Sequence, residues 1–305
     1  MRYVVTGAAG FIGSHLADAL VRGGHDVVGV DCFTDYYDPA EKEENARGFD
    51  VLRLDLAEEP LDLVGIDGVF HLAGQPGVRS FGDVFPLYVR RNLLATHRVL
   101  EAVAAAAVRV VFASSSSVYG DAEAYPTSED AVPQPISPYG ITKLGCEHLA
   151  RAYAAGFGLD AVALRYFTVY GPRQRPDMFF RRVCDALLER GSFEIYGSGE
   201  QSRSFTEVGD AVEATIAAME RAPSGALYNV GGGDEASMLE AIALLEQTSG
   251  QTLDVRHTGA ATGDVRRTKA DVTRIRDALG WEPRTRLADG LSRMWSWASG
   301  RVAAG

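Results

Sequence analysis

The stretch Gly7-Ala8-Ala9-Gly10-Phe11-Ile12-Gly13 limits what this chain can fold into more than any other. Before it, Arg2-Tyr3-Val4-Val5-Thr6 reads as a buried strand, and after it Phe11 to Arg22 carries helical spacing. Glycines at a strand-to-helix turn permit a tight reversal and let backbone approach a pyrophosphate at the helix N-terminus. Asp31 closes the next apolar run. An acid there accepts a hydrogen bond from a ribose 2′-hydroxyl and repels a 2′-phosphate, which favours NAD over NADP. The expected cofactor contacts are Gly7, Gly10, Phe11, Ile12, Gly13 and Asp31.

The rhythm continues. Gly23-Gly24 ends the first helix, and strands are expected at Asp26 to Val30, Val51 to Asp55, Gly68 to Leu72, Arg109 to Ser114 and Asp160 to Arg165. Long helices are expected at Pro86 to Ala107 and Ser137 to Gly158. Alternating strands and helices predict an α/β fold, a Rossmann-type doubly wound parallel sheet with its ligand at the carboxyl ends of the strands. After Arg165, Gly171-Pro172 and Arg175-Pro176 break the pattern, and a smaller α/β C-terminal substrate-binding region is expected. The expected division is residues 1–167 for the NAD-binding part and 168–305 for the substrate part. A later segment near 205–230 is expected to return to the first part. The alanine-rich Ala102 to Ala107 reads as close helix packing, and Arg90-Arg91 as a solvated face.

Composition narrows the partners. A net charge of −11 speaks against sequence-independent nucleic-acid binding, which needs a basic surface. Cys32, Cys146 and Cys184 are scattered and odd in number, neither a zinc pattern nor a disulfide framework. With no secretory signal and no apolar run long enough for a bilayer, the expectation is a cytoplasmic protein with no membrane partner and no metal.

Tyr139 and Lys143 stand one turn apart on the second long helix. An ammonium there favours the phenolate, which suits Tyr139 to take a proton from a hydroxyl. The run Ser114-Ser115-Ser116-Ser117-Val118-Tyr119-Gly120 ends a strand upstream, and a serine hydroxyl there can hold the same substrate oxygen.

The spacing GxxGxxG, with this serine, Tyr139 and Lys143, resembles the extended short-chain dehydrogenase/reductases that act on nucleotide sugars. By that resemblance Ser115, Tyr139 and Lys143 are the catalytic residues. Asp55-Leu56 looks like the pair beside the adenine, and Leu72 and Ala73 in His71-Leu72-Ala73-Gly74 look like cofactor-lining residues. His71 by itself reads as structural. Sugar-nucleotide 4,6-dehydratases carry Asp-Glu where this chain has Ser116 and Ser117, and UDP-xylose-forming decarboxylases usually keep the Glu. The pattern therefore resembles a 4-epimerase, which oxidises C4 and returns the hydride to the opposite face.

Leu164-Arg165-Tyr166-Phe167-Thr168-Val169-Tyr170-Gly171-Pro172, followed by Arg175-Pro176-Asp177-Met178, is similar to the UDP-glucuronate 4-epimerases. Asp35-Tyr36-Tyr37-Asp38-Pro39 is also reminiscent of that group. The resemblance implies that Ser116, Ser117 and Thr168 hold the sugar carboxylate and that Arg175 shapes its pocket. It implies a diphosphate contact from Arg203; the Arg often found just before Gly263-Asp264 in that family is absent here, and Arg266 and Arg267 are candidates for a second contact. Phe179, Phe180 and Tyr196 are stacking or packing candidates. Gly263-Asp264-Val265 matches a further landmark. The two long helices form the dimer interface in that family, so a homodimer is expected. Two readings stay open beside UDP-glucuronate: an epimerase of UDP-glucose or UDP-N-acetylglucosamine, and a non-catalytic NAD-binding sensor.

Overall fold

The computed structural model describes every residue except 79, 123, 260–266 and 305. In chain order the first part runs β1 (Arg2–Thr6), α1 (Phe11–Arg22), β2 (Asp26–Asp31), α2 (Pro39–Asn45), β3 (Asp50–Arg53) and β4 (Gly68–His71). There follow α3 (Phe85–Tyr88), a π-helical stretch Val89–Leu94, α4 (Ala95–Ala106), β5 (Arg109–Ser115), α5 (Pro138–Phe157) and β6 (Ala161–Tyr166). Next come β7 (Thr168–Tyr170), α6 (Phe179–Glu189), β8 (Ser192–Tyr196), β9 (Ser202–Glu207), α7 (Val208–Arg221) and β10 (Leu227–Val230). The chain closes with β11 (Glu235–Ser237), α8 (Met238–Ser249), β12 (Asp254–Thr258), β13 (Arg267–Thr268), α9 (Thr273–Leu279) and α10 (Leu287–Ala304).

Seven strands form one sheet in the order β10-β6-β5-β4-β1-β2-β3, and every pairing in it is parallel. Side chains alternate across a strand, so β1 feeds two cores. Tyr3 and Val5 pack with Leu16 and Leu20 of α1 and Val212 of α7. Val4 packs on the other face with Val99, Leu100 and Val103 of α4 and Ala150 of α5. Both faces are thus apolar, which is why the strands read as continuous hydrophobic runs. The strand order reverses between β1 and β4, and the crevice at their carboxyl ends is where such sheets bind ligands.

After β6 the chain leaves this sheet. β9 pairs with β7, β11 and β13, and β8 pairs with β12. A separate core of Phe180, Val183, Leu187, Phe193, Phe205, Leu245, Leu291 and Met294 supports these strands. Between β9 and β11 the chain comes back: α7 packs in the α1 core and β10 adds to the sheet beside β6.

The expected elements hold to within a residue or two, with two differences. The helix expected at Pro86 to Ala107 contains the π-helical stretch, which the 3.6-residue period does not anticipate. The helix α2 stands in a segment for which no element is expected; Asp38 caps it by accepting from the Ala40 N–H at 2.9 Å, with Pro39 in its first turn. Among the described residues no helix is long and apolar enough to cross a membrane, and no group of three or more His, Cys, Asp or Glu is placed to hold a metal.

Candidate active site

A cavity of about 680 Å³ lies at the reversal point of the sheet. Its floor is the turn between β1 and α1. Gly7 has φ +69°, a left-handed conformation that side chains rarely adopt. A Cβ on Gly13 would stand 2.1 Å from the Gly7 carbonyl oxygen, so this turn closes only with glycine. Gly10 caps α1 without a side-chain hydrogen bond. The first N–H groups of the helix have no intrahelical acceptor and, with the helix dipole, suit an anion. That cradle fits a dinucleotide pyrophosphate.

Asp31, at the end of β2, accepts from the Ala9 N–H at 3.2 Å and the Phe33 N–H at 2.8 Å. α2 closes this corner. Asn45 donates to the Ala9 carbonyl at 3.2 Å, and the Lys42 ammonium donates to the Thr34 carbonyl at 2.7 Å and its hydroxyl at 2.9 Å. Burial pulls Lys42 below the ordinary lysine range, and Asp31 opposes that. Tyr37 also lines the cavity; its hydroxyl is buried with no hydrogen-bond partner among the described residues, and burial pushes it up from the ordinary phenol range.

Asp55 accepts from the Ala57 N–H at 2.9 Å and from Arg90 at 2.7 Å, and Leu56 beside it is buried. After β4, His71 is sealed between the hydroxyls of Thr6 at 2.8 Å and Thr96 at 3.0 Å. Burial, with a smaller contribution from Lys143, lowers it to about 3. A histidine that stays neutral and enclosed is structural, as the sequence suggests, and Leu72 and Ala73 beyond it line the cavity.

Two residues missed from the sequence come from the π-helical stretch. Asn92 is buried, accepts from the Gln75 N–H at 2.7 Å, and donates to the Gln75 carbonyl at 3.2 Å and the Thr142 hydroxyl at 3.0 Å. It ties the loop after β4 to α5 one residue before Lys143. Arg91 donates to the Gln75 side chain at 2.8 Å and lines the cavity. Its Nε is buried without a partner among the described residues. The expectation of a solvated face is corrected for Arg91: a π turn takes an extra residue and rotates the helix, which brings Arg91 inward. Arg90 stays half-exposed and pairs with Asp55 and Glu58.

β5 ends at Ser115, whose hydroxyl donates to Ser117 Oγ at 3.1 Å and accepts from the Ser117 N–H at 3.1 Å. α5 is capped by Ser137, whose hydroxyl accepts from the Gly140 N–H at 3.1 Å. On this helix Lys143 Nζ lies 5.9 Å from the Tyr139 ring centroid and donates to the Ala113 carbonyl at 2.9 Å. Beneath them Glu147 takes Arg165 bidentately at 2.9 and 2.7 Å and also accepts from Ser114. This buried pair locks α5 to β5 and β6. Arg165 is raised above the ordinary guanidinium range, because pairing with Glu147 outweighs the burial that would lower it.

Ser115, Ser116, Ser117, Tyr139, Lys143, Thr168 and Arg175 all line this cavity, with the cofactor-side residues named above at its other end. Arg175 donates to both carboxylate oxygens of Asp177, at 3.0 and 3.2 Å. Tyr196 and Arg203 lie outside its lining. Tyr196 ends β8 opposite Thr258, and Arg203 lies on β9 opposite Thr268. Gly263, Asp264, Val265 and Arg266 fall outside the described residues. Arg267 pairs with Glu235 at 2.6 and 2.8 Å. Phe180 is buried in the C-terminal core, with Phe179 packed against it.

The fold, the glycine cradle and a Tyr–Lys pair beside a serine turn define a dinucleotide-binding α/β enzyme. A model of the NAD dependent epimerase/dehydratase family matches residues 3–231, and the chain belongs to that family. It is 39% identical to an uncharacterized UDP-glucose epimerase, YtcB, of Bacillus subtilis (strain 168), over 98% of each chain. It superposes with a TM-score of 0.94 on UDP-glucuronic acid 4-epimerase from Bacillus cereus solved with UDP-glucuronic acid and NAD, at 39% identity, covering 99% of this chain and 100% of that one. MoeE5, solved with NAD and either UDP-glucuronic acid or UDP-glucose, is 44% identical with a TM-score of 0.89, covering 99% of this chain and 100% of that one.

Proposed function

We propose that the protein is an NAD-dependent 4-epimerase of a UDP-sugar, interconverting UDP-glucuronate and UDP-galacturonate. The observation that carries this reading is one cavity holding the glycine cradle at one end and Ser115, Tyr139, Lys143, Thr168 and Arg175 at the other. Gly7, Gly10, Phe11, Ile12 and Gly13 hold the pyrophosphate, Asp31 the adenosine ribose, Asp55 and Leu56 the adenine, and Leu72 and Ala73 the cofactor beyond. When bound, NAD supplies a hydride acceptor for C4 and a donor for the hydride's return.

Tyr139 takes the proton of the C4 hydroxyl and later gives it back to the ketone oxygen. Lys143 carries positive charge that offsets the negative charge developing on Tyr139. Ser115 holds the same sugar oxygen. C4 oxidation of a glucuronate makes a β-keto acid, which loses carbon dioxide when the C5–carboxylate bond aligns with the carbonyl π-system. Ser116, Ser117 and Thr168 hold the carboxylate out of that alignment, and no hydroxyl among them delivers an acidic proton at this site. Arg175 shapes the same pocket. Arg203 on β9 serves the diphosphate, and Tyr196 at the end of β8 serves the uridine.

In this reading residues 1–167, with the returning α7 and β10, hold the cofactor, and 168–305 hold the nucleotide sugar. The protein works in the cytoplasm as a homodimer. Exposed Phe85, Val89 and Leu94 on one long helix and Ile141 and Phe157 on α5 supply its apolar face. Sedimentation at micromolar concentration then gives a dimer mass.

UDP-glucose is the second substrate reading. It is favoured by the pairing of Arg175 with Asp177, which leaves no lone cation at that point to demand a carboxylate. Purified protein incubated with each sugar and followed by NMR tests both readings. UDP-galacturonate without UDP-xylose supports the first, and conversion of UDP-glucose alone moves the substrate to the second. No conversion of either sugar, even with NAD added, overturns the functional reading.

A further inference from the structure

Arg175 does not meet the cavity as a bare charge. Its Nε donates to Asp177 Oδ1 at 3.0 Å and its Nη2 to Oδ2 at 3.2 Å. Two of the five N–H donors of the guanidinium fork are thereby fixed, and the plane of the fork with them. Asp177 is held as well by the Tyr36 hydroxyl, which donates to Oδ2 at 3.3 Å. Tyr36 belongs to the segment that covers the cofactor corner, whereas Arg175 and Asp177 follow β7 on the sugar side. All three line the cavity together with Thr168 and Ser116.

The pair is formally neutral. A sugar carboxylate that enters beside Thr168 meets hydroxyl donors and a guanidinium whose charge is already answered. A hydroxymethyl group in the same place forgoes little Coulomb energy. The pair therefore sets how strongly the pocket discriminates at C6, and Asp177 is the member that can be changed without removing the Arg175 donors.

We propose that Asp177 is a specificity-determining positioning residue, which fixes and neutralises Arg175 so that the pocket admits sugars with either a carboxylate or a hydroxymethyl group at C6. This rests on the UDP-sugar reading given above. It predicts that removing the Asp177 charge sharpens selectivity. Unopposed, Arg175 draws the carboxylate toward itself, so acid-sugar binding tightens while the carboxylate leaves Ser116, Ser117 and Thr168 and turnover suffers.

The test measures binding and steady-state kinetics of UDP-glucuronate and UDP-glucose on the NAD-loaded protein, in wild type, Asp177→Asn, Asp177→Ser and Asp177→Glu. In the two neutral variants the Kd and KM for UDP-glucuronate fall roughly two- to fivefold, the scale of a part-exposed ion pair. Those for UDP-glucose stay where they were, and kcat falls for UDP-glucuronate alone. Asp177→Glu, which keeps the charge, returns the wild-type ratio. Adding Arg175→Gln to Asp177→Asn removes the gain, which a merely structural effect of Asp177 would not predict. If both sugars weaken by the same factor, or the ratio does not move, the proposal is overturned while the UDP-sugar reading stands. Wild type that binds neither sugar overturns both.

Discussion

The two ends of the cavity are made of different material. At the cofactor end the cradle is built of backbone: a left-handed Gly7, a Gly13 with no room for a Cβ, and helix N–H groups without a side-chain cap. At the sugar end, and along the seam with the cofactor cover, side chains hold one another. Asp177 bridges Arg175 and Tyr36, and Glu41 of α2 takes both Arg181 at 3.1 Å and Arg301 at 2.9 Å, with both guanidiniums over the Trp297 ring. A backbone site fails when volume is added, because the main chain cannot step aside. A side-chain site shifts when charge is changed, because long side chains find new partners. The cofactor end is therefore fixed in its ligand, and the sugar end is where preference can be tuned.

Adding volume at the cofactor end gives the largest effect expected. Gly13→Val drives a side chain into the Gly7 carbonyl, and the protein should purify without NAD and fail to take it up in a fluorescence titration; retained NAD would mean that the cradle is not where the pyrophosphate rests. Next comes the chemistry between the two ends. Tyr139→Phe should lower turnover by about a hundredfold or more, the general-base scale, with NAD affinity unchanged. Near-normal turnover would take Tyr139 out of the mechanism.

A pH titration separates the two kinds of construction further. Buried His71 sits at about 3 in the folded chain against 6.5 for the free side chain, so between those values the unfolded chain binds the extra proton. Stability from this residue is complete above about pH 6.5 and declines as pH falls toward 3. Chemical denaturation across that range should show the decline, and His71→Asn should flatten it; an unchanged slope would argue that His71 is not held neutral. The smallest effect belongs to the seam. Glu41→Gln loosens α2 from Arg181 and Arg301 and should speed NAD release a few-fold, as part-exposed ion pairs go. A stopped-flow displacement with no change in rate would show that α2 is held by Asn45 and Lys42 instead.

The same contrast explains what could be read in the chain beforehand. Turn chemistry and strand alternation are local, so the cradle, the strands and the Tyr139–Lys143 spacing are visible as neighbours in the sequence. Arg91 and Asn92 escaped because the π-helical stretch shifts the helix face by one residue, against the period used to read it. Asp177 escaped because its partner Tyr36 is far away in the chain and only the fold brings them together. Arg203 and Tyr196 carry a motif resemblance, but β9 and β8 place them outside the cavity lining.

In this mechanism C4 is oxidised and reduced in one pocket, with the same hydrogen leaving and returning. UDP-glucuronate carrying deuterium at C4 tests it most directly, with the product read by proton NMR. UDP-galacturonate should keep the deuterium at C4 without any reductant added. Product with solvent hydrogen at C4, or release of carbon dioxide in place of epimerisation, would contradict it.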